Sequence, residues 1–284
     1  MGENSKIEGT HHTFNIVWGC AKVSPACTHC YAEAWAKRTG HDVRGVNAPR
    51  KVMSAHYWRQ PLKWNAAAER AGERRRVFCS SMADVFEDHP TLHGERKRLW
   101  ELIEQTPWLD WLLLTKRPEN IRGSVPTSWL RSPLRNVWLG TTIESQEYLE
   151  RRAMALLSTP ARVHIFSCEP LLGPLDIKGF RPAWVICGGE SGGKARPMHP
   201  DWARSLRDQC QAKGVAFHFK QWGDLVDVDT AIKAHGFNPY TEHPAFYTIP
   251  GYALPFTRVG KNNAGRLLDG RTWDELPHVA PTSD

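Results

Sequence analysis

With 284 residues, 41% hydrophobic and 24% charged, the chain has the composition of a globular protein with a sizeable core, which excludes wholesale disorder. No run reaches the roughly 18–20 apolar residues needed to span a bilayer, and the opening MGENSKIEGTHH holds no apolar signal region, so a cytoplasmic protein without a membrane partner is expected. Lys and Arg number 37 against 30 acidic residues, a formal charge of +7, which favours approach to a polyanion such as DNA.

In chain order, short apolar runs rich in β-formers alternate with stretches of helical periodicity. Phe14 to Trp18 reads as a strand, followed by a helix from Tyr31 to Arg38 and an irregular segment from Asp42 to Gln60 that suits a lid or substrate-contacting loop. Further strands are predicted at Arg76 to Cys79, Trp111 to Leu114, Val137 to Leu139, Val163 to Phe166, Trp184 to Cys187 and Val215 to Phe219. Helices are predicted at Leu92 to Glu104, Gln146 to Leu157 and Asp201 to Lys213, the last with Pro200 as its start signal. Uncharged strands alternating with helices predict an α/β fold, a partial (β/α) barrel of six to seven parallel strands over residues 1–223. From residue 224 periodicity fades, and residues 224–284 read as an irregular C-terminal extension packed on the barrel. The runs Arg74-Arg75-Arg76 and Arg96-Lys97-Arg98 suit solvated faces or a phosphate track. The thirteen Trp suit packing, or stacking of bases.

In such sheets ligands gather at the carboxyl ends of the strands. Those ends carry Gly19-Cys20, Ser80-Ser81-Met82-Ala83-Asp84, Thr115-Lys116-Arg117, Thr141-Thr142-Ile143-Glu144, Ser167-Cys168-Glu169, Gly188-Gly189-Glu190 and Lys220-Gln221. Among seven Cys, Cys20, Cys27 and Cys30 form C-x6-C-x2-C after the first strand. Three thiolates on a four-iron cube leave one iron open to an external chelating ligand, and S-adenosylmethionine (SAM) can fill it through its amino and carboxylate groups. A structural zinc with His29 or His12 as fourth ligand is the competing reading, and incidental thiols the plain one. Cys79, Cys168, Cys187 and Cys210 lack metal spacing and suit core positions, with Cys79, Cys168 and Cys187 alternatively facing the site.

GCAKVSPACTHCYAE at 19–33, SSMADVF at 80–86, LLTKRPE at 113–119, VWLGTTIES at 137–145, SCEPLLGP at 167–174, GGESGGKARPMHPDW at 188–202, FKQWG at 219–223 and GRLLDGRTWDELP at 265–277 resemble the phage-associated three-Cys-motif proteins, a radical-SAM-like family. The layout is more distantly similar to that of spore photoproduct lyase, which acts on thymine in DNA. The resemblance implies a [4Fe–4S] cluster on Cys20, Cys27 and Cys30. It implies that Ser80, Ser81 and Asp84 hold the SAM amino group, Asp84 foremost. It also implies that Thr141, Thr142, Glu144, Ser167 and Glu169 hold the ribose and carboxylate. Two departures stand out: six residues separate Cys20 from Cys27 where three are usual, so the loop bulges, and His29 stands where an aromatic often meets adenine. Gly188-Gly189-Glu190 looks by its letters like the amino-binding motif, but it follows the sixth strand, which puts Glu190 on the substrate side.

The expected activity is that of a radical SAM enzyme of the isomerase or lyase class. Its deoxyadenosyl radical would remodel a modified base, hypermodified thymine in phage DNA, inside the infected host cell. Glu190, Lys220 and Cys168 are the candidates for restraining the radical and exchanging protons; the plain reading of Glu190 and Lys220 is a buried ion pair joining strand ends. The implied partners are DNA, an electron donor for the cluster and a companion protein. The alternatives are radical SAM chemistry on a peptide or small metabolite, and a zinc-stabilised nucleic-acid-binding module without enzymatic activity.

Overall fold

The computed structural model describes residues 2–235 and 246–279. The parts of the expected C-terminal extension at 236–245 and 280–284 lie outside the described residues. Seven strands form one sheet: β1 (His12–Phe14), β2 (Arg75–Cys79), β3 (Leu109–Thr115), β4 (Val137–Thr142), β5 (Val163–Cys168), β6 (Trp184–Gly188) and β7 (Ala216–Gln221). Their spatial order is their chain order, and β1 with β2, β2 with β3, β3 with β4 and β6 with β7 pair in parallel. A parallel sheet wound in one direction, without the order reversal of a doubly wound sheet, is the α/β arrangement expected for a partial (β/α) barrel. The main helices are α1 (Tyr31–Arg38), α2 (Gln60–Ala71), α3 (Pro90–Glu104), α4 (Gln146–Leu157) and α5 (Pro200–Lys213). No helix among the described residues is long and apolar enough to cross a membrane.

The chain divides into two compact units, one built on residues up to Thr142 with Arg151–Ile165, the other on Ile143–Glu150 with Phe166–Pro277. In the first, the core sits between the strands and α2 and α3. Phe14 stacks on Tyr57 at 4.9 Å and meets Trp58 and Trp111 edge-on at 5.2 and 5.7 Å, geometries that favour aromatic pairs. Eight of the thirteen Trp are buried, so most of the indoles pack. Four of the six residues in the basic runs are engaged within the protein. Arg74 pairs with Asp110, Arg76 donates to the Gly9 carbonyl, Arg96 to those of Val85 and Glu87, and Arg98 lies over the Trp58 ring.

The first predicted strand is split. Asn15 leaves the ladder, accepting from Met82 N–H at 2.7 Å through Oδ1 and donating to Ser81 Oγ, and Val17–Trp18 pairs instead with Lys51–Val52 as a separate antiparallel ribbon. The segment predicted to be irregular at 42–60 therefore holds that ribbon strand, a short helix at Ala55–Trp58 and the start of α2. Helix α2, which the sequence reading lacked, has Pro61 in its first turn and ends at Gly72 with φ 64°, the left-handed stop that glycine adopts without a Cβ penalty.

In the second unit, α5 opens on His199, whose ring accepts from Asp201 N–H. Beyond β7 the chain forms a three-stranded sheet of Leu225–Asp227, Phe256–Arg258 and Phe246–Tyr247, where only irregular structure was expected. The segment at 273–275 lies along β7: Phe219 N–H donates to Trp273 O, Glu275 N–H to Phe217 O and Phe217 N–H to the Glu275 carboxylate. Beneath it His218 is 2% exposed. Burial, aided by Arg266 and opposed by Asp274, pushes its pKa down to about 4. The unfolded chain takes up this proton near 6.5 while the folded one waits until about 4. The contribution to stability is therefore intact above 6.5 and is lost as pH falls through this window, by roughly 3 kcal/mol. Urea midpoints at pH 7.5 and 4.5 should differ correspondingly, and His218→Gln should flatten that slope; an unchanged slope would remove His218 from the effect.

Candidate functional site

In the first unit the cysteine loop is fastened at both ends to the segment that follows β2. Gly19 N–H donates to Met82 O at 3.0 Å, and Gly19 bridges Ala83 in parallel. Gly19 has φ 109°, and a Cβ there would come 2.2 Å from Val43 O, so only glycine allows this approach. At the other end Tyr31, first residue of α1, donates its hydroxyl to Ser81 O at 2.8 Å. Cys27, buried with Ala26, closes a 3-10 turn, Pro25–Cys27, and Cys30 stands at the N-cap of α1. Cys30 packs against Ala32, Ala36, Val43 and Met82.

All three thiols are free of disulfides. Cys20 Sγ accepts from Arg44 Nη1 at 2.9 Å, and Cys27 Sγ lies 4.0 Å from Ser24 Oγ. Burial pushes the Cys20 thiol up to about 12, with Arg44 acting in the opposite direction. Among the described residues no group of three or more His, Cys, Asp or Glu is placed to hold a metal ion. A cube binds each thiolate to a different iron and so holds its sulfurs apart, unlike the single tetrahedral ion of a zinc site. The donor set, three disulfide-free thiols on one tethered loop, is in its chemistry the set that such a cube takes. A further sign is Arg44 Nε, a buried donor with no hydrogen-bond partner among the described residues. His12, considered as a zinc ligand, lies in β1 stacked on the Trp64 ring at 4.4 Å.

Behind the loop lies a buried charge network that the sequence reading missed. Asp84 is 6% exposed, and both of its oxygens are engaged: Oδ1 by Phe86 N–H and Thr115 Oγ1, Oδ2 by Lys116 N–H and Arg117 Nη1, at 2.7–3.1 Å. A ligand ammonium at Asp84 would have to displace one of these donors. Arg117 Nη2 also donates to Ala21 O at 2.9 Å, while Ala21 N–H donates to Glu87 Oε1 at 2.7 Å. Arg50 grips Glu87 with Nε and Nη2 at 2.9 and 3.0 Å. Both backbone groups of the residue after Cys20 are thus held by side chains. Burial works to lower the Arg117 pKa, but Asp84 and Glu87 carry it above the ordinary arginine value.

The other predicted residues of this unit lie at strand ends. Ser80 Oγ is 3.4 Å from Cys79 Sγ, and Ser81 Oγ meets Asn15. Thr141 and Thr142, expected after the fourth strand, are its last residues, because the ladder continues past the apolar run. Thr141 Oγ1 donates to Thr115 O, and Thr142 O accepts from Arg152.

In the second unit Ser167 and Cys168 likewise end β5 instead of following it, and Lys220 and Gln221 end β7. Ser167 O accepts from Ile143 N–H, and Glu144, buried, offers its carbonyl to Leu172 N–H. Glu169 Oε2 accepts from Lys220 Nζ at 2.6 Å and Oε1 from Gln221 at 2.8 Å. Burial works to raise the Glu169 pKa, but Lys220 holds it below the ordinary value. Glu190 is gripped by Arg196 through its backbone N–H, Nε and Nη2 at 2.6–2.9 Å. Glu190 and Lys220 therefore belong to different ion pairs, which corrects the plain reading that joined them. Cys168 is fully buried, and burial raises its thiol far above the usual range, reinforced by Cys187, Cys210 and Glu144. Gly188-Gly189-Glu190 has a packing reason: a Cβ on Gly189 would fall 1.8 Å from Trp222 O, and one on Gly223 2.3 Å from Glu190 O.

No curated protein matches the chain. Among solved structures it is similar to a spore photoproduct lyase variant with bound AdoMet and dinucleoside spore photoproduct, at 13% identity and TM-score 0.46 over 91% of this chain and 71% of that one. It is similar also to a variant with dinucleoside spore photoproduct, at 14% identity and TM-score 0.47 over 91% and 70%. A third is spore photoproduct lyase complexed with dinucleoside spore photoproduct, at 11% identity and TM-score 0.46 over 91% and 71%. A family model matches residues 4–277, and the chain belongs to the family described as Protein of unknown function (DUF5131).

Proposed function

We propose that the chain is a radical SAM enzyme whose Cys20, Cys27 and Cys30 hold a [4Fe–4S] cluster. The observation that carries this reading is the double fastening of the cysteine loop, through Gly19 and Tyr31, to residues 81–83 after β2. When bound, the cluster and SAM supply reductive cleavage of the SAM C–S bond and with it a deoxyadenosyl radical. In this scheme Ser80, Ser81 and Asp84 meet the SAM amino group, Asp84 by exchanging one of its present donors. Thr141, Thr142, Glu144, Ser167 and Glu169 serve the ribose and carboxylate. Ala21, clamped between Glu87 and Arg117, keeps the backbone next to Cys20 from relaxing into water.

On the substrate side the scheme places Glu190, Lys220 and Cys168. Lys220 Nζ, 2.6 Å from Glu169 Oε2, is the atom that bears the exchangeable proton, and Arg196 fixes the direction of the Glu190 carboxylate. The proposed substrate is a base in nucleic acid, supported by the charge of +7. The resemblance to phage-associated three-Cys-motif proteins directs this further to hypermodified thymine in phage DNA, rearranged by an isomerase or lyase reaction. An electron donor for the cluster belongs to the proposal, as do a companion protein and a place in the cytoplasm.

The test is mass spectrometry of nucleosides from phage DNA incubated anaerobically with protein, SAM and dithionite. The expected result is a changed thymidine derivative together with 5′-deoxyadenosine. 5′-Deoxyadenosine with unchanged nucleosides, and no salt-sensitive retention of the protein on DNA cellulose, would favour a peptide or metabolite substrate instead.

A further inference from the structure

We infer that Arg44 is the positioning residue for Cys20 and sets the reduction potential of the cluster; this rests on the cluster reading above. The residues at 43–50 are wound around one guanidinium. Arg50 Nη1 donates to Val43 O at 3.4 Å and Ala48 O at 2.5 Å, and Nη2 donates to Gly45 O at 3.0 Å. The same guanidinium is locked to Glu87, whose carboxylate also holds Ala21 N–H. The turn that presents Arg44 and the backbone that presents Cys20 are thus pinned to one buried carboxylate. Gly45 N–H adds a long contact to Cys20 O at 3.5 Å.

From this turn the Arg44 fork spans two groups, with Nη1 2.9 Å from Cys20 Sγ and Nη2 3.1 Å from Met82 O. A planar guanidinium keeps its charge at any working pH and carries its donors in fixed directions. Here one donor goes to the sulfur and one to the backbone of the segment that fastens the cysteine loop. The remaining nitrogen, Nε, is buried without a hydrogen-bond partner among the described residues; a sulfide of a cluster bound to Cys20 is an acceptor of the kind it lacks. A segment that reads in the sequence as a lid is therefore a bracket for one ligand.

The electrostatic consequence follows from charge balance. One electron from an external donor makes the cluster more negative by one unit, and a positive group hydrogen-bonded to a ligand sulfur favours that reduced form. Arg44 therefore raises the midpoint potential.

The experiment compares anaerobically prepared wild type with Arg44→Met, Arg44→Gln and Arg44→Lys, measuring iron and sulfide content and the midpoint by EPR-monitored dithionite titration. The Met and Gln variants should load less iron or show a more negative midpoint, and Lys should return both quantities toward wild type. Loading and midpoint equal to wild type in whichever of the Met and Gln variants folds would overturn the role of Arg44, as would a Lys variant no closer to wild type than they are. A wild-type chain that takes up no iron would instead refute the cluster reading, so the two failures are distinguishable.

Discussion

Cys27→Ala is expected to abolish cluster loading, lowering iron from about four per chain to below about one, and to cut 5′-deoxyadenosine formation at least about 100-fold. Cys27, itself buried, closes the turn Pro25–Cys27, and in the proposed cluster the loss of its sulfur would deprive one iron of its only protein ligand. The side chain lost is small, so the chain should remain folded, at a cost of about 1 kcal/mol. Cys210→Ala is the control. Cys210 is buried on α5 within the second unit, and its loss should leave iron content unchanged. Iron assay, circular dichroism and product chromatography on both variants check this. Undiminished deoxyadenosine formation by Cys27→Ala would remove it from the ligand set.

Arg117→Ala should cost about 3–5 kcal/mol of folding stability, because it leaves Asp84 and Glu87 buried with one fewer positive partner and Ala21 O without its donor. An exposed ion pair offers the contrast. Arg204, paired with Asp201 and Asp269 through side chains 42%, 69% and 39% exposed, should give up only about 1 kcal/mol in Arg204→Ala. Urea denaturation of both variants measures the difference. A small loss for Arg117→Ala would mean that water replaces the guanidinium, and the cysteine loop would then lack the rigid backing of this buried network.

The sheet was readable because its strands are buried apolar runs separated by helical periodicity. The strand ends were not, because at Thr141-Thr142, Ser167-Cys168 and Lys220-Gln221 the hydropathy turns polar while the hydrogen-bond ladder continues. Asn15 splits the first strand because its side chain bonds to a segment 66 to 67 positions away, a choice that no local pattern encodes. The cysteine loop and Asp84 stood out by residue type and position. Their partners did not, since Arg117 lies 33 positions from Asp84 and Arg50 lies 37 from Glu87. One signal was present: Glu87 directly follows SSMADVF, and Arg117 lies inside LLTKRPE, so acid and base sit at the ends of adjacent strands. The glycines of Gly188-Gly189 resembled a ligand motif in the sequence and serve close backbone approach in the fold.

The most direct measurement is the metal content and EPR spectrum of anaerobically prepared protein, reduced with dithionite, with and without SAM. A cube on Cys20, Cys27 and Cys30 gives about four irons and four sulfides per chain and a reduced signal that changes when SAM occupies the open iron. A colourless protein with one zinc per chain, or an iron signal indifferent to SAM, would contradict it.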